Sequence, residues 1–284
     1  MKKYIYPENQ LPTPLNSKLL ALVGEDKKVL EVGCAMGYQT RAMHEIQRCQ
    51  VTGIEIDTNA ANHARPYCDD LIVGDIETLD ADQLLLGKQF DVITFADVLE
   101  HLKNPTATLN KVRPFLKAGG YVVASIPNIA HCSVIYEMAR GRFEYRSLGL
   151  LDDTHIHFFT RQTIYDTFEA GGYQVVALDR NRASASETEF KTRPVTDEDR
   201  QFLEYIKQRN PEAETYQFVV KAIPITDANV RQSELIAAQE QIQLSLLDAG
   251  LNEKRIKELE SNLKWITSRP SYRFLSTLAR MIKR

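Results

Sequence analysis

The sequence is short of every feature that marks a disulfide-stapled, membrane-spanning or nucleic-acid-binding chain. Among 284 residues there are four cysteines, Cys34, Cys49, Cys68 and Cys132, with no CxxC pair. That spacing gives neither a zinc site nor a disulfide framework, and the thiols read as reduced and mostly buried in a cytoplasmic protein. Acids and bases nearly cancel, leaving a formal charge of −3, so there is no electrostatic case for a nucleic-acid partner. Met1-Lys2-Lys3 leads into no apolar run, and no secretory signal is expected. Nowhere do apolar residues approach the roughly 18 that a membrane span requires.

What the chain has instead is a 43% hydrophobic content laid out in alternation. Strands are expected over 28–32, 50–56, 70–74, 90–95, 120–126, 173–179 and 216–222, and helices over 38–48, 58–66, 81–86, 103–116 and 160–170. Alternation at this spacing builds an α/β domain with a mostly parallel sheet and helices on both faces. An aromatic, irregular insertion over 127–159 breaks the rhythm at the strand ends, where a lid or substrate wall belongs. A second insertion, 181–211, carries a helix over 196–209. The domain closes near residue 225. From 226 to 284 a helical extension follows, with Leu235, Ile242, Ala249, Ile256 and Leu263 seven apart, a partial coiled-coil seam interrupted at Gly250. It suits self-association or packing on its own domain. The final stretch, "WITSRPSYRFLSTLARMIKR", is basic and amphipathic. Such a tail suits an anionic membrane surface or a partner protein.

The stretch "KVLEVGCAMGYQT" carries the chemistry. A buried strand ends in Glu31, Gly33 and Gly37, then a helix begins, so backbone N–H groups face outward as a cradle. A dinucleotide site wants three closely spaced glycines and no acid, because a pyrophosphate must approach. Here Glu31 repels a pyrophosphate and suits a ligand with a cationic amino-acid part. Glu55, ending "VTGIE", can accept both hydroxyl hydrogens of a ribose. Asp75 in "VGDIE" can accept from an exocyclic amine, with Ile76 beside it.

Together "VLEVGCAMG", "GIEID", "GDIE", "FDVITFADVLEHLKNP" and "LKAGGYVVASIPN" resemble class I S-adenosylmethionine (SAM)-dependent methyltransferases, in order and spacing, over residues 20–222. The resemblance implies a Rossmann-like seven-stranded sheet whose last strand is antiparallel, with SAM as cofactor. It places Glu31, Gly33, Ala35 and Gly37 along the methionine part, Glu55 and Ile56 at the ribose, Asp75 and Ile76 at the adenine, and Ala96 and Asp97 on the near side. Ala35 departs from the family's usual glycine, a mild change unless positive φ is required there.

Methyl transfer to a hydroxyl benefits from a base with a near-neutral pKa. "GLLDDTHIHFFT" offers His155, with His157 second, pointing the same way if the segment is extended. This block resembles one in bacterial methyltransferases of glycan and cell-envelope assembly. The implied reaction is O-methylation of a sugar hydroxyl in an envelope glycan or its precursor, with the C-terminal helix near the inner membrane face or an assembly partner. Two alternatives stand: a quinone-type or other small aromatic hydroxyl as acceptor, or a non-catalytic SAM-binding scaffold. Asp97, Glu100 and His101, on one face if helical, could with His155 hold a divalent ion, and ubiquinone-biosynthesis O-methyltransferases resemble the chain in this pattern. The reading commits to no metal. Arg140, Arg142 and Arg146 are candidates to clamp a phosphate.

Overall fold

The structure, a computed structural model, describes residues 14–191 and 196–226. The chain divides into two units, Met1–Ile225 and Thr226–Arg284. The helical extension expected over 226–284, with its heptad seam and basic tail, lies outside the described residues.

Seven strands form one sheet: β1 (Lys28–Val32), β2 (Gln50–Glu55), β3 (Asp70–Val73), β4 (Phe90–Ala96), β5 (Leu116–Pro127), β6 (Tyr173–Arg182) and β7 (Thr215–Pro224). Their order is β3-β2-β1-β4-β5-β7-β6. The pairs from β3 through β5 are parallel, and β7 runs antiparallel to both β5 and β6. Seven expected strands are seven observed strands, the last reversed.

Side-chain alternation along the central strands builds a core on each face. Leu30 and Val32 of β1, Ile93 and Phe95 of β4, and Val122, Ala124 and Ile126 of β5 enter the larger core. Val29, Val92 and Val123, one residue out of phase, meet Leu19, Leu20, Val23 and Met43 on the other side. The first three of these belong to α1 (Pro14–Val23), a helix that none of the expected elements covers.

The other α-helices among the described residues are α2 (Tyr38–Arg41), α3 (Thr58–Ala64), α4 (Ala81–Leu84), α5 (Pro105–Val112), α6 (Cys132–Ala139), α7 (Arg161–Ala170) and α8 (Asp197–Arg209). The helix expected over 38–48 is α2 followed by a π-helical turn, Ala42–Ile46. The one expected over 103–116 is trimmed at both ends by proline. Asn104 accepts the Ala107 N–H as N-cap ahead of Pro105, and a 3-10 turn follows at Arg113–Phe115. The strand expected over 120–126 begins earlier, at Leu116, so that Lys117-Ala118-Gly119-Gly120 opens β5, with a register shift against β4 between Phe90 and Val92. The insertion over 127–159 is less irregular than expected. It contains α6, capped by the His131 side chain on the Ser133 N–H.

Gly37 fixes how α2 meets α3. Its φ is 80°, and a Cβ there would stand 2.6 Å from the Ala64 Cα at the end of α3. Both the left-handed backbone and the close approach demand glycine. Gly37→Ala is therefore expected to lower stability by more than about 2 kcal/mol, read as a drop in the urea midpoint. An unchanged midpoint would mean that α2 and α3 separate without cost.

Candidate active site

The carboxyl ends of parallel strands leave backbone groups unpaired at a crevice, which is where open α/β sheets hold ligands. Four acids line up along this edge: Glu31 in β1, Glu55 ending β2, Asp75 just past β3 and Asp97 just past β4.

Glu31 is 2% exposed. Its Oε2 accepts the Thr40 hydroxyl at 2.5 Å, and among the described residues no cation stands with the groups that perturb it. Burial pushes its carboxyl up to about 8, against the pull of the Thr40 hydrogen bond. A carboxyl raised in this way favours the folded state fully below its unfolded value, near 4.5, and loses that advantage as pH rises through about 8.

Glu55 acts differently. Its Oε2 accepts the Ala35 N–H at 2.8 Å and its Oε1 the Asp57 N–H at 2.9 Å. The neighbouring strand thus holds the glycine loop through a side chain. Gly33 and Cys34 complete the anchor by donating to the Ile54 carbonyl at 2.8 and 3.2 Å. The loop turns through three left-handed residues, Gly33 at φ 74°, Ala35 at 46° and Gly37 at 80°. The position where the sequence departs from glycine is therefore one that requires positive φ, and Ala35 carries the strain.

Asp75 is half-buried and its Oδ1 accepts the Glu77 N–H at 2.9 Å. Ile76, expected against a ligand ring, is drawn into the main core at 5% exposed. Open at this edge are Ile56, 67% exposed, and Val73 at the end of β3, 39% exposed. Ala96 is half-buried at the end of β4 and packs toward the second core. Asp97 is exposed, has φ 53°, and accepts the Gln217 amide on its Oδ1. Burial raises its carboxyl, opposed by hydrogen bonds from Gln217 and Ser125.

The helical face proposed for Asp97, Glu100 and His101 does not form. Leu99–His101 is a 3-10 turn and Asp97, turned by its left-handed backbone, faces Gln217. What converges is Glu100, His101 and His155, whose ligand atoms lie within 4.8 Å of one another. Glu100 is 1% exposed, and neither carboxylate oxygen has a hydrogen-bond partner among the described residues. Burial, with the Asp97 charge nearby, holds it well above the usual carboxylate range. His155 Nε2 stands 4.0 Å from Glu100 Oε1, and its ring meets His101 edge-on at 4.8 Å.

His155 and His157 do not point the same way. The Ile156 and His157 N–H groups both donate to the Glu100 carbonyl, so the segment is not a regular extended strand and period-2 alternation fails. His157 reaches the Lys103 carbonyl at 3.2 Å and lies against Phe159. From His155 an aromatic run leads outward: Phe158 at 6.4 Å, Phe143 at 5.9 Å from Phe158, then Tyr145 at 5.6 Å, all edge-on. Phe143 and Tyr145 are exposed.

The arginine clamp is not assembled. Arg140 pairs with Asp199, Arg142 with Glu137, and Arg146 lies over the Phe190 ring. His131 is buried between Ser133 and the Ala183 carbonyl, a structural position. Sequence reasoning missed Thr40, Ser125 and Gln217. Thr40, nine residues past Glu31 on the loop-helix unit, was within reach of it. Gln217 carried no signal.

Residues 8–178, more than half of the chain, match a family model described as a methyltransferase domain. A ubiquinone biosynthesis O-methyltransferase of Acinetobacter baylyi is 28% identical over 152 residues, 51% of this chain and 63% of that one. The chain thus matches less than two thirds of that relative's length. A SAM-dependent methyltransferase of Archaeoglobus fulgidus superposes with a TM-score of 0.53 at 18% identity, covering 73% of this chain and 90% of the other. The [4+2]-cyclase SpnF superposes at 0.50 and 14% identity, covering 78% and 87%. These likenesses establish the fold, and the cyclase shows that the fold alone does not fix a reaction.

The strain at Ala35 has a measurable consequence. Ala35→Gly is expected to raise stability by about 1 kcal/mol, because relief of the left-handed backbone outweighs the added unfolded-state entropy. Thermal unfolding checks this. A fall in Tm would show that the methyl group is packed rather than tolerated.

Proposed function

The chain belongs to the methyltransferase-domain family, and on that premise we propose that it transfers a methyl group from SAM to a hydroxyl on an aromatic, quinone-type acceptor. The acid-lined crevice suits this cofactor: four carboxylates, an exposed Ile56 and a backbone loop match a cationic, hydroxyl-bearing ligand and oppose a pyrophosphate. Glu31 would hold the cationic amino group, Glu55 the ribose hydroxyls and Asp75 the adenine amine. Bound SAM supplies an electrophilic methyl on a sulfonium sulfur. The protein's part is to place the acceptor oxygen in line with it in a dry site and to take up the hydroxyl proton.

His155 is our candidate for that proton. It sits at the inner end of the aromatic run, with its Nε2 4.0 Å from the buried Glu100 carboxyl. His157, tied to the Lys103 carbonyl, takes the lesser role of holding the segment.

The observation that carries the acceptor class is the aromatic wall of Phe158, Phe143 and Tyr145 leading from solvent to His155. An aromatic ring would lie against it edge-on or offset. The Acinetobacter relative, named for ubiquinone biosynthesis, agrees with this acceptor class. The envelope-glycan hydroxyl expected first from the sequence is the competing acceptor, and the membrane-side or assembly partner expected through the C-terminal helix goes with it.

A second reading rests on Glu100. A buried carboxylate with no hydrogen-bond partner among the described residues, beside two imidazoles, is a donor set for a divalent cation. In that reading the cation, rather than His155, would lower the pKa of the hydroxyl.

The test uses SAM labelled on the methyl group with catechol as probe, beside a monosaccharide panel. Label is expected in the catechol, reduced at least about a hundredfold by His155→Ala with S-adenosylhomocysteine binding retained. Label only in sugars would replace the aromatic reading with the glycan one. Loss of activity in EDTA, restored by a divalent ion, would favour the second reading over the base.

A further inference from the structure

A polar chain crosses three strands behind the crevice and ends on Asp97. Asn181 of β6 and Gln217 of β7 are register partners, 5% and 7% exposed. Asn181 Nδ2 donates to Gln217 Oε1 at 2.8 Å, and Gln217 Nε2 donates to Asp97 Oδ1 at 2.5 Å. On the other side the Asp97 N–H is shared between the Ser125 carbonyl and hydroxyl, each at 3.1 Å.

Chemistry dictates the direction of this chain. An ionised carboxylate only accepts hydrogen bonds, so the Gln217 amide must turn its NH₂ toward Asp97. Its carbonyl oxygen then faces Asn181, which must donate. Reversing either amide sets oxygen against oxygen. The array therefore has one self-consistent arrangement, and its output is a donor fixed on one oxygen of Asp97.

Asp97 needs such support. Its backbone is left-handed at φ 53°, a conformation that costs a non-glycine residue about 1–2 kcal/mol. Its open face would let the carboxylate swing. Both amides are too deeply buried to act as the ligand contact themselves.

We infer that Gln217 and Asn181 are positioning residues that aim the Asp97 carboxylate into the crevice and so set cofactor affinity without touching the cofactor. This deepens the proposed function and rests on SAM being the ligand. The Gln217 hydrogen bond also opposes the burial that raises Asp97, so the same contact favours its charged form.

Calorimetric titration with S-adenosylhomocysteine tests the inference, on the full chain and with melting curves as a folding control. Gln217→Met keeps the length and removes the donor, and is expected to weaken binding about tenfold. Asn181→Asp keeps the shape but denies Gln217 its donor, and is expected to act in the same direction even if Gln217→Met does not fold. Asp97→Gly removes the carboxylate while tolerating the left-handed backbone. In that background Gln217→Met is expected to cost nothing more. Equal losses in both backgrounds, or unchanged binding by Gln217→Met or Asn181→Asp in the Asp97 protein, would overturn the positioning role. Failure of the unaltered protein to bind would remove the SAM premise itself, and this inference with it.

Discussion

A carboxyl buried next to a hydroxyl, with no cation among the described residues to neutralise it, is the constraint around which the crevice is arranged. Glu31 comes from the central strand, so its burial follows from the sheet itself. Moving it outward would require β1 to lose its place between β2 and β4. In the free protein the group holds its proton because the charged form is poorly solvated. A ligand that brings positive charge to this point supplies what the interior withholds. Burying such a group costs stability unless something answers it, and a cationic ligand end is a physical reason to keep it there.

Around that point the acids have separate tasks. Glu55 spends one lone pair of each oxygen on backbone N–H groups of the loop and the following turn, so it builds the cradle and still retains acceptor capacity. Asp97 is held from behind by Gln217. Glu100, deeper and without hydrogen-bond partners among the described residues, belongs to a second centre with His101 and His155. In the proposed reading, cofactor grip falls to the acids at the ends of β1 to β4, and proton handling to His155 beside Glu100.

Much of this architecture is legible in the amino-acid order. Short apolar runs bounded by turns locate all seven strands, because each holds its pattern over four or more residues. The loop acids are legible because chemistry ties an acid before a glycine turn to a cationic ligand. What fails is whatever depends on geometry at a single residue. No element is expected over Pro14–Val23, although its proline start and Leu19-Leu20-Val23 spacing are helical signals. The α6 helix hides because histidine is an unusual N-cap. The parallel aim of His155 and His157 assumes a regular strand, which the two N–H groups converging on the Glu100 carbonyl abolish. The 97–101 helical face assumes that Asp97 is helical, and its φ of 53° is not. Gln217 lies 120 residues from its partner, beyond any local pattern.

The central claim, that a neutral buried Glu31 becomes charged to meet a cationic ligand, is tested most directly by proton counting. At pH 7 a carboxyl raised to about 8 is about nine-tenths protonated. Titrating SAM in two buffers of different ionisation enthalpy should then reveal release of roughly one proton per molecule bound, and no such release in Glu31→Gln. Heats independent of buffer, or the same release from Glu31→Gln, would contradict the account.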